Sequence, residues 1–96
     1  MKSLIFSPRA ADDIDRIFDY TAEKWGSQQA EDYTLGIRDI CRTLLDGERR
    51  GRKIAGLGSA YLALSFQSHF IIYKATERNL TIVRILHRQM NIATHL

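Results

Sequence analysis

The stretch Ala60-Tyr61-Leu62-Ala63-Leu64-Ser65-Phe66-Gln67-Ser68-His69-Phe70-Ile71-Ile72-Tyr73-Lys74-Ala75 decides the fold class. Its aromatic and branched side chains suit a pleated surface. Gln67-Ser68-His69 reads as a turn that divides it into two strands, about Ala60–Phe66 and Phe70–Ala75. A second turn, Thr76 to Asn79, leads to a third strand, about Leu80–His87. The three form an antiparallel meander.

Upstream of the meander the apolar period lengthens from two to nearly four. Ala10, Ile14, Ile17, Phe18, Thr21 and Trp25 fall on one helical stripe. Ser7 can accept from an orphan backbone N–H at the helix start, and Pro8 at the first helical position loses no needed donor. Ala30, Tyr33, Ile37, Ile40, Cys41 and Leu44 give a second stripe, with Ser27 as the expected cap. Only Trp25-Gly26-Ser27 separates the helices, so they fold as an antiparallel hairpin. Gly36 inside the second helix costs about 1 kcal/mol relative to Ala and marks a close approach by another element. Lys2 to Phe6 reads as an opening strand. The order β-α-α-β-β-β predicts a two-layer α+β fold over residues 1–96, with the helical hairpin packed on an antiparallel sheet.

Two helices cover one sheet face, yet the strands are apolar on both parities. Leu62, Leu64 and Phe66 alternate with Tyr61 and Ala63, and Ile82 with Val83. This lack of alternation predicts an exposed apolar sheet face, the usual mark of a protein interface.

The chain has 96 residues, 45% of them hydrophobic and 26% charged, which fits one folded domain and excludes disorder. The longest apolar run, Ala60 to Leu64, is too short to span a bilayer. No secretory leader is expected, because Pro8 interrupts the start. One cysteine, Cys41, excludes an internal disulfide and points to a reducing, cytoplasmic setting. The net charge of +3 conceals an asymmetry. Residues 1–48 carry six bases and ten acids, whereas residues 49–96 carry eight bases and the single acid Glu77. A basic second half suggests an anionic partner. Four of these bases, Arg49, Arg50, Arg52 and Lys53, share a loop over residues 47–59 with Gly47, Gly51, Gly56 and Gly58. That loop lacks the Gly-Lys-Ser/Thr ending of a phosphate cradle.

Few residues invite chemistry. Arg84 interrupts the apolar strand Ile82-Val83-Arg84-Ile85-Leu86, so it either pairs with a helical acid or points outward to hold a phosphate or acid. His87 beside Arg88 can serve as an acid or base on a phosphodiester, or simply end the strand. The three histidines are not spaced for a metal site, and Cys41 reads as a core residue, so neither metal nor cofactor is expected.

Four stretches together resemble the ParE branch of the RelE/ParE toxin superfamily of type II toxin–antitoxin systems. They are Leu4-Ile5-Phe6-Ser7-Pro8-Arg9-Ala10-Ala11-Asp12-Asp13-Ile14, then Ile17-Phe18-Asp19-Tyr20 with Trp25-Gly26, then His69-Phe70-Ile71-Ile72-Tyr73, and finally Ile82-Val83-Arg84-Ile85-Leu86-His87-Arg88-Gln89-Met90. The resemblance implies a cytoplasmic toxin neutralised by a cognate, ParD-like antitoxin. It also implies DNA gyrase as the target, inhibited by binding and not by catalysis. RelE-like relatives instead cut messenger RNA on the ribosome, and Arg84 with His87 would be the catalytic pair for that chemistry. A terminal tyrosine and a carboxylate base on the strands are both absent, which leaves the nuclease set incomplete. The target-binding candidates are therefore Arg84, His87, Arg88, Arg52 and Lys53, with Arg49 and Arg50 beside them. The antitoxin-binding candidates are Leu62, Leu64, Phe66, Ile82 and Leu86 on the sheet. Neither membrane association nor sequence-specific nucleic acid binding is expected.

Overall fold

A computed structural model describes residues 2–57 and 60–96. Gly58, counted above in the basic loop, lies outside the described residues. The elements run β1 (Ser3–Phe6), α1 (Pro8–Trp25), α2 (Ser27–Leu45), β2 (Arg52–Lys53), β3 (Leu62–Phe66), β4 (His69–Ala75), β5 (Asn79–His87) and α3 (Ile92–His95). The five strands form one sheet in the order β1-β5-β4-β3-β2. The meander β3-β4-β5 is antiparallel, and β1 adds to β5 in the parallel sense. The sheet is thus mixed, not wholly antiparallel. Two helices intervene between β1 and the rest, so the chain returns to β5 by a long crossover, which a parallel pair requires. The two-residue β2 and the single turn α3 are too short to show a period in sequence.

Ser7 caps α1, its Oγ accepting from the Ala10 N–H at 3.0 Å, with Pro8 next in the helix. Gly26 stands between the helices at φ +95°, a left-handed value that glycine adopts without steric cost. It occupies the cap position of α2 in place of Ser27, and no side chain caps that helix. Ala10, Ile14 and Ile17 of α1 pack with Ile37, Cys41 and Leu44 of α2 over Ile71, Tyr73, Leu80, Ile82 and Ile85. A Cβ on Gly36 would stand 3.0 Å from Phe66 Cζ, so the expected close approach comes from β3. Burial pushes the Cys41 thiol up to about 12, which keeps it protonated and inert.

Two expectations about burial are corrected. Trp25 does not reach the core and is 66% exposed, because α1 ends there and α2 turns back. The buried stripe of α1 instead includes Asp13. Among the described residues, the predicted open apolar sheet face is also absent. Ile82 has no exposed surface and belongs to the core, and Leu62, Leu64 and Phe66 pack against that core from the helix side. Ile72 and Leu86 alternate with the core residues Ile71 and Ile85, and both are buried. The chain's own C-terminal segment returns to that region. Arg84, the ladder partner of Ile72, donates to the carbonyl of His95 at the end of α3. Arg88 stacks over the Phe70 ring at 5.4 Å.

Candidate functional site

The site is built around a break in β5. Tyr73 pairs with Ile82 and Ile72 with Arg84, so Val83 is an extra residue and β5 bulges there. The bulge reverses which residues face the helices, from Leu80 and Ile82 before it to Ile85 after it. It also coincides with the end of β1. Beyond β1, Ser7 and Asp13 continue the ladder. Ser7 N–H reaches the Ile82 carbonyl at 2.9 Å and Ser7 Oγ donates to the Val83 carbonyl at 2.8 Å. The Ile85 N–H then donates to Asp13 Oδ2 at 2.9 Å.

Asp13 also takes Arg84 as a fork, Nε to Oδ2 at 2.8 Å and Nη2 to Oδ1 at 2.9 Å. Both residues are buried, and Nη1 donates to the His95 carbonyl. The sequence left Arg84 either paired with a helical acid or turned outward, and it is paired with Asp13 of α1. Its hydrogen bonds to Asp13 hold the guanidinium still more firmly protonated. A bidentate, desolvated pair of this kind is strongly destabilising to break from one side.

Beyond this clamp lies a cleft of about 690 Å³ between α1, the start of α2, the β3–β4 turn and the end of β5. Tyr20, Trp25 and Met90 line it, and these are three of the five large apolar side chains that stand exposed among the described residues. Its polar floor is a chain of rings. Tyr33 Oη lies 2.7 Å from His69 Nδ1 and also accepts from the Ser68 N–H at 3.3 Å. The His69 and His87 rings meet edge to face at 5.5 Å. His87 Nδ1 in turn accepts from the Gln89 N–H at 3.2 Å. Burial, together with the neighbouring His87, pushes His69 down to about 4, so it is neutral at physiological pH. Burial also raises Tyr33, so its hydroxyl keeps its proton. Arg16 adds an exposed cation to the wall. Among the described residues, the sole acid lining the cleft, Asp13, is consumed by Arg84. The arrangement suits an apolar ligand that carries a negative group.

Only some of the sequence candidates meet here. Arg84, Leu86 and His87 line the cleft, and Arg88 is exposed beside it, donating to Ser65 Oγ and the Gln67 carbonyl, each at 3.2 Å. Arg52 and Lys53 form the edge strand β2 and do not line it. Arg49 and Arg50 border a separate hollow of about 500 Å³ with Lys2 and Leu44. Sequence reasoning missed Tyr20, Trp25, Tyr33, His69 and Asp13 as site residues. Trp25 and Tyr33 fall on the expected core stripes and His69 in the expected turn, which drew attention away from them. Asp13 carried one usable signal, its place on the apolar stripe four residues before Ile17. No group of three His, Cys, Asp or Glu side chains among the described residues is arranged to hold a metal ion. Among the described residues, no helix is long and apolar enough to cross a membrane.

The chain resembles known proteins over nearly its whole length. Residues 4–92 match the family model described as the ParE toxin of a type II toxin–antitoxin system, parDE. The toxin ParE1 of Caulobacter vibrioides is 31% identical over 96 residues, covering 100% of this chain and 99% of that protein. A toxin ParE1 of Mycobacterium tuberculosis is 31% identical over 93 residues, covering 96% and 95%. In structure, the chromosomal ParDE system of P. aeruginosa superposes with a TM-score of 0.79 at 21% identity, covering 91% of this chain and 96% of that one. YoeB of Staphylococcus aureus, solved as a dimer, has the same fold with a TM-score of 0.64 at 15% identity, covering 91% and 97%. The chain therefore belongs to the ParE toxin family of type II toxin–antitoxin systems.

Proposed function

We propose that this toxin works in the cytoplasm as one domain, inhibiting DNA gyrase by binding, and that a cognate ParD-like antitoxin neutralises it. The observation that supports binding over catalysis is the state of Arg84. Metal-free RNA cleavage needs a cation for the developing phosphorane charge. The strand guanidinium has Nε and both Nη atoms engaged on Asp13 and His95. His87 and Arg88 remain exposed and are the target-contact candidates, with Arg52 and Lys53 as a second, separate basic group. Tyr20, Trp25 and Met90, with Leu86 also lining the cleft, replace Leu62, Leu64, Phe66 and Ile82 as the apolar surface offered to a partner.

A specific observation also favours the rival reading, a ribosome-dependent endoribonuclease of RelE type. Two imidazoles, His69 and His87, share the cleft with the Tyr33 hydroxyl, and such a pair can exchange protons with a phosphodiester. One parallel assay separates the readings. Purified toxin is added to a gyrase supercoiling reaction and to a ribosome-bound message. The binding reading expects lost supercoiling and an intact message. A cut message with normal supercoiling overturns it.

A further inference from the structure

The strand ends remote from the cleft carry a second surface, and it is basic. Lys2, Arg49 and Arg50 line the hollow of about 500 Å³ together with Leu62 and Leu80. The hollow lies where β3 and β5 begin and β4 ends, whereas the cleft lies at the opposite ends of the same strands. Lys53 pairs with Leu62 across the β2–β3 ladder and so stands on the same sheet face. All four cations are exposed, and among the described residues none is in an ion pair. One acid, Asp46, lines the hollow with them. Charge on an edge strand such as β2 deters pairing with another chain, but Lys2, Arg49 and Arg50 lie off that edge.

The loop that carries these bases is seated on the fold. The Glu48 and Arg49 N–H groups both donate to the Thr43 carbonyl, at 2.9 and 3.2 Å. The Gly51 N–H donates to Tyr73 Oη at 2.7 Å. A Cβ on Gly51 would stand 2.8 Å from the Ala63 carbonyl oxygen, so only glycine lets the backbone lie this close to β3. The ties also change the local field. The carbonyls of Arg42, Thr43 and Leu44 all accept hydrogen bonds from residues 46–49, which occupies the negative end of α2 beside the hollow.

The chemistry of the partner follows from what this surface lacks. A protein partner draws its affinity from apolar and aromatic anchors. Among the described residues, no large exposed apolar side chain lines the hollow. A single-stranded nucleic acid needs rings to stack on. The aromatic ring lining the hollow, Tyr73, is buried, and its hydroxyl is taken by Gly51. What stays is charge on a fixed backbone, and a duplex is engaged through its phosphates mainly by charge. We infer that Lys2, Arg49, Arg50 and Lys53 hold the phosphate backbone of duplex DNA without regard to its sequence. The choice of DNA among polyanions rests on the gyrase reading, since gyrase acts on duplex DNA.

The test titrates the full, purified toxin into a fluorescently labelled DNA duplex of mixed sequence and follows anisotropy from about 50 to about 200 mM salt. With four phosphates neutralised, log K is expected to fall against log salt with a slope of about −3.6, which weakens binding about 150-fold over that range. The double variant Arg49→Gln, Arg50→Gln is expected to halve the slope to about −1.8 at an unchanged melting temperature. Arg9→Gln, which removes an exposed cation of α1, is expected to leave the slope within about 0.3 of the wild type. No salt-dependent binding by the wild-type toxin, or a slope that the double variant leaves unchanged, overturns the inference. Tighter binding to an RNA duplex of the same length, or to polyglutamate of equal charge, gives the surface to another polyanion and overturns the choice of DNA. Normal supercoiling in the presence of wild-type toxin, with the expected slopes on duplex DNA, removes the gyrase reading and leaves the DNA surface standing.

Discussion

The two halves of β5 are made differently. Residues 80–82 are paired on both sides, with β1 and with β4, and carry Leu80 and Ile82 into the core. Residues 84–87 are paired with β4 alone, and on the other side the carboxylate of Asp13 closes part of the ladder. The first half is held by backbone and packing, neither of which discriminates among partners. The second half is held by a charge pair and a hydroxyl cap, and next to it the fold leaves polar groups and aromatic rings open. The bulge at Val83 is the boundary between a stretch that stabilises and a stretch that can bind.

Removing Asp13 breaks this contrast most severely. Asp13→Ala strands a buried guanidinium and the Ile85 N–H, and is expected to cost about 3–5 kcal/mol in urea unfolding. The packed half answers to cavity size instead. Ile82→Ala is expected to cost about 3 kcal/mol by the same measurement, independent of salt.

The open half should also respond to acid. His69 sits near 4 in the folded chain, below its unfolded value of about 6.5. Its neutral form is the one the fold accepts, so its contribution is complete above about pH 6.5 and is lost as pH falls through about 4. Because solvent screens part of the ring, the loss is expected to be about 1–2 kcal/mol, seen as a falling melting temperature that His69→Gln flattens. Ser7→Ala removes both the α1 cap and the bond to the Val83 carbonyl, with an expected cost of about 1 kcal/mol. Smallest is His87→Ala. At an exposed position it should change stability by less than about 0.5 kcal/mol, while the toxin's effect on growth falls. A stable variant with full toxicity would remove His87 from the target-contact set.

The layer structure was legible in the sequence because it rests on periodicity. The stripes of α1 and α2 and the dense β3-β4-β5 run each repeat often enough to be read. The site was less legible because it depends on exceptions to those periods. A single bulge decides that Ile85, not Arg84, faces the helices. Asp13 lies on an apolar stripe but carries a charge, and its partner is 71 residues away. Trp25 has the period of a core residue but falls where the helix ends. His87 was found because it adjoins Arg84 in sequence. Tyr33 and His69 were not, since their meeting requires α2 to cross the β3–β4 turn.

The hydroxyl link from Ser7 to Val83 joins residues 76 apart. Ribosomes add about 5–20 residues per second, so roughly 4–15 s separate the synthesis of its two ends. During that interval β1 and the helical hairpin exist without the strand that β1 must join. The Arg84 clamp, the open β5 edge and the cleft all appear only once the last quarter of the chain has emerged. A growing chain therefore lacks the binding surface until β5 has emerged and folded onto β1 and α1.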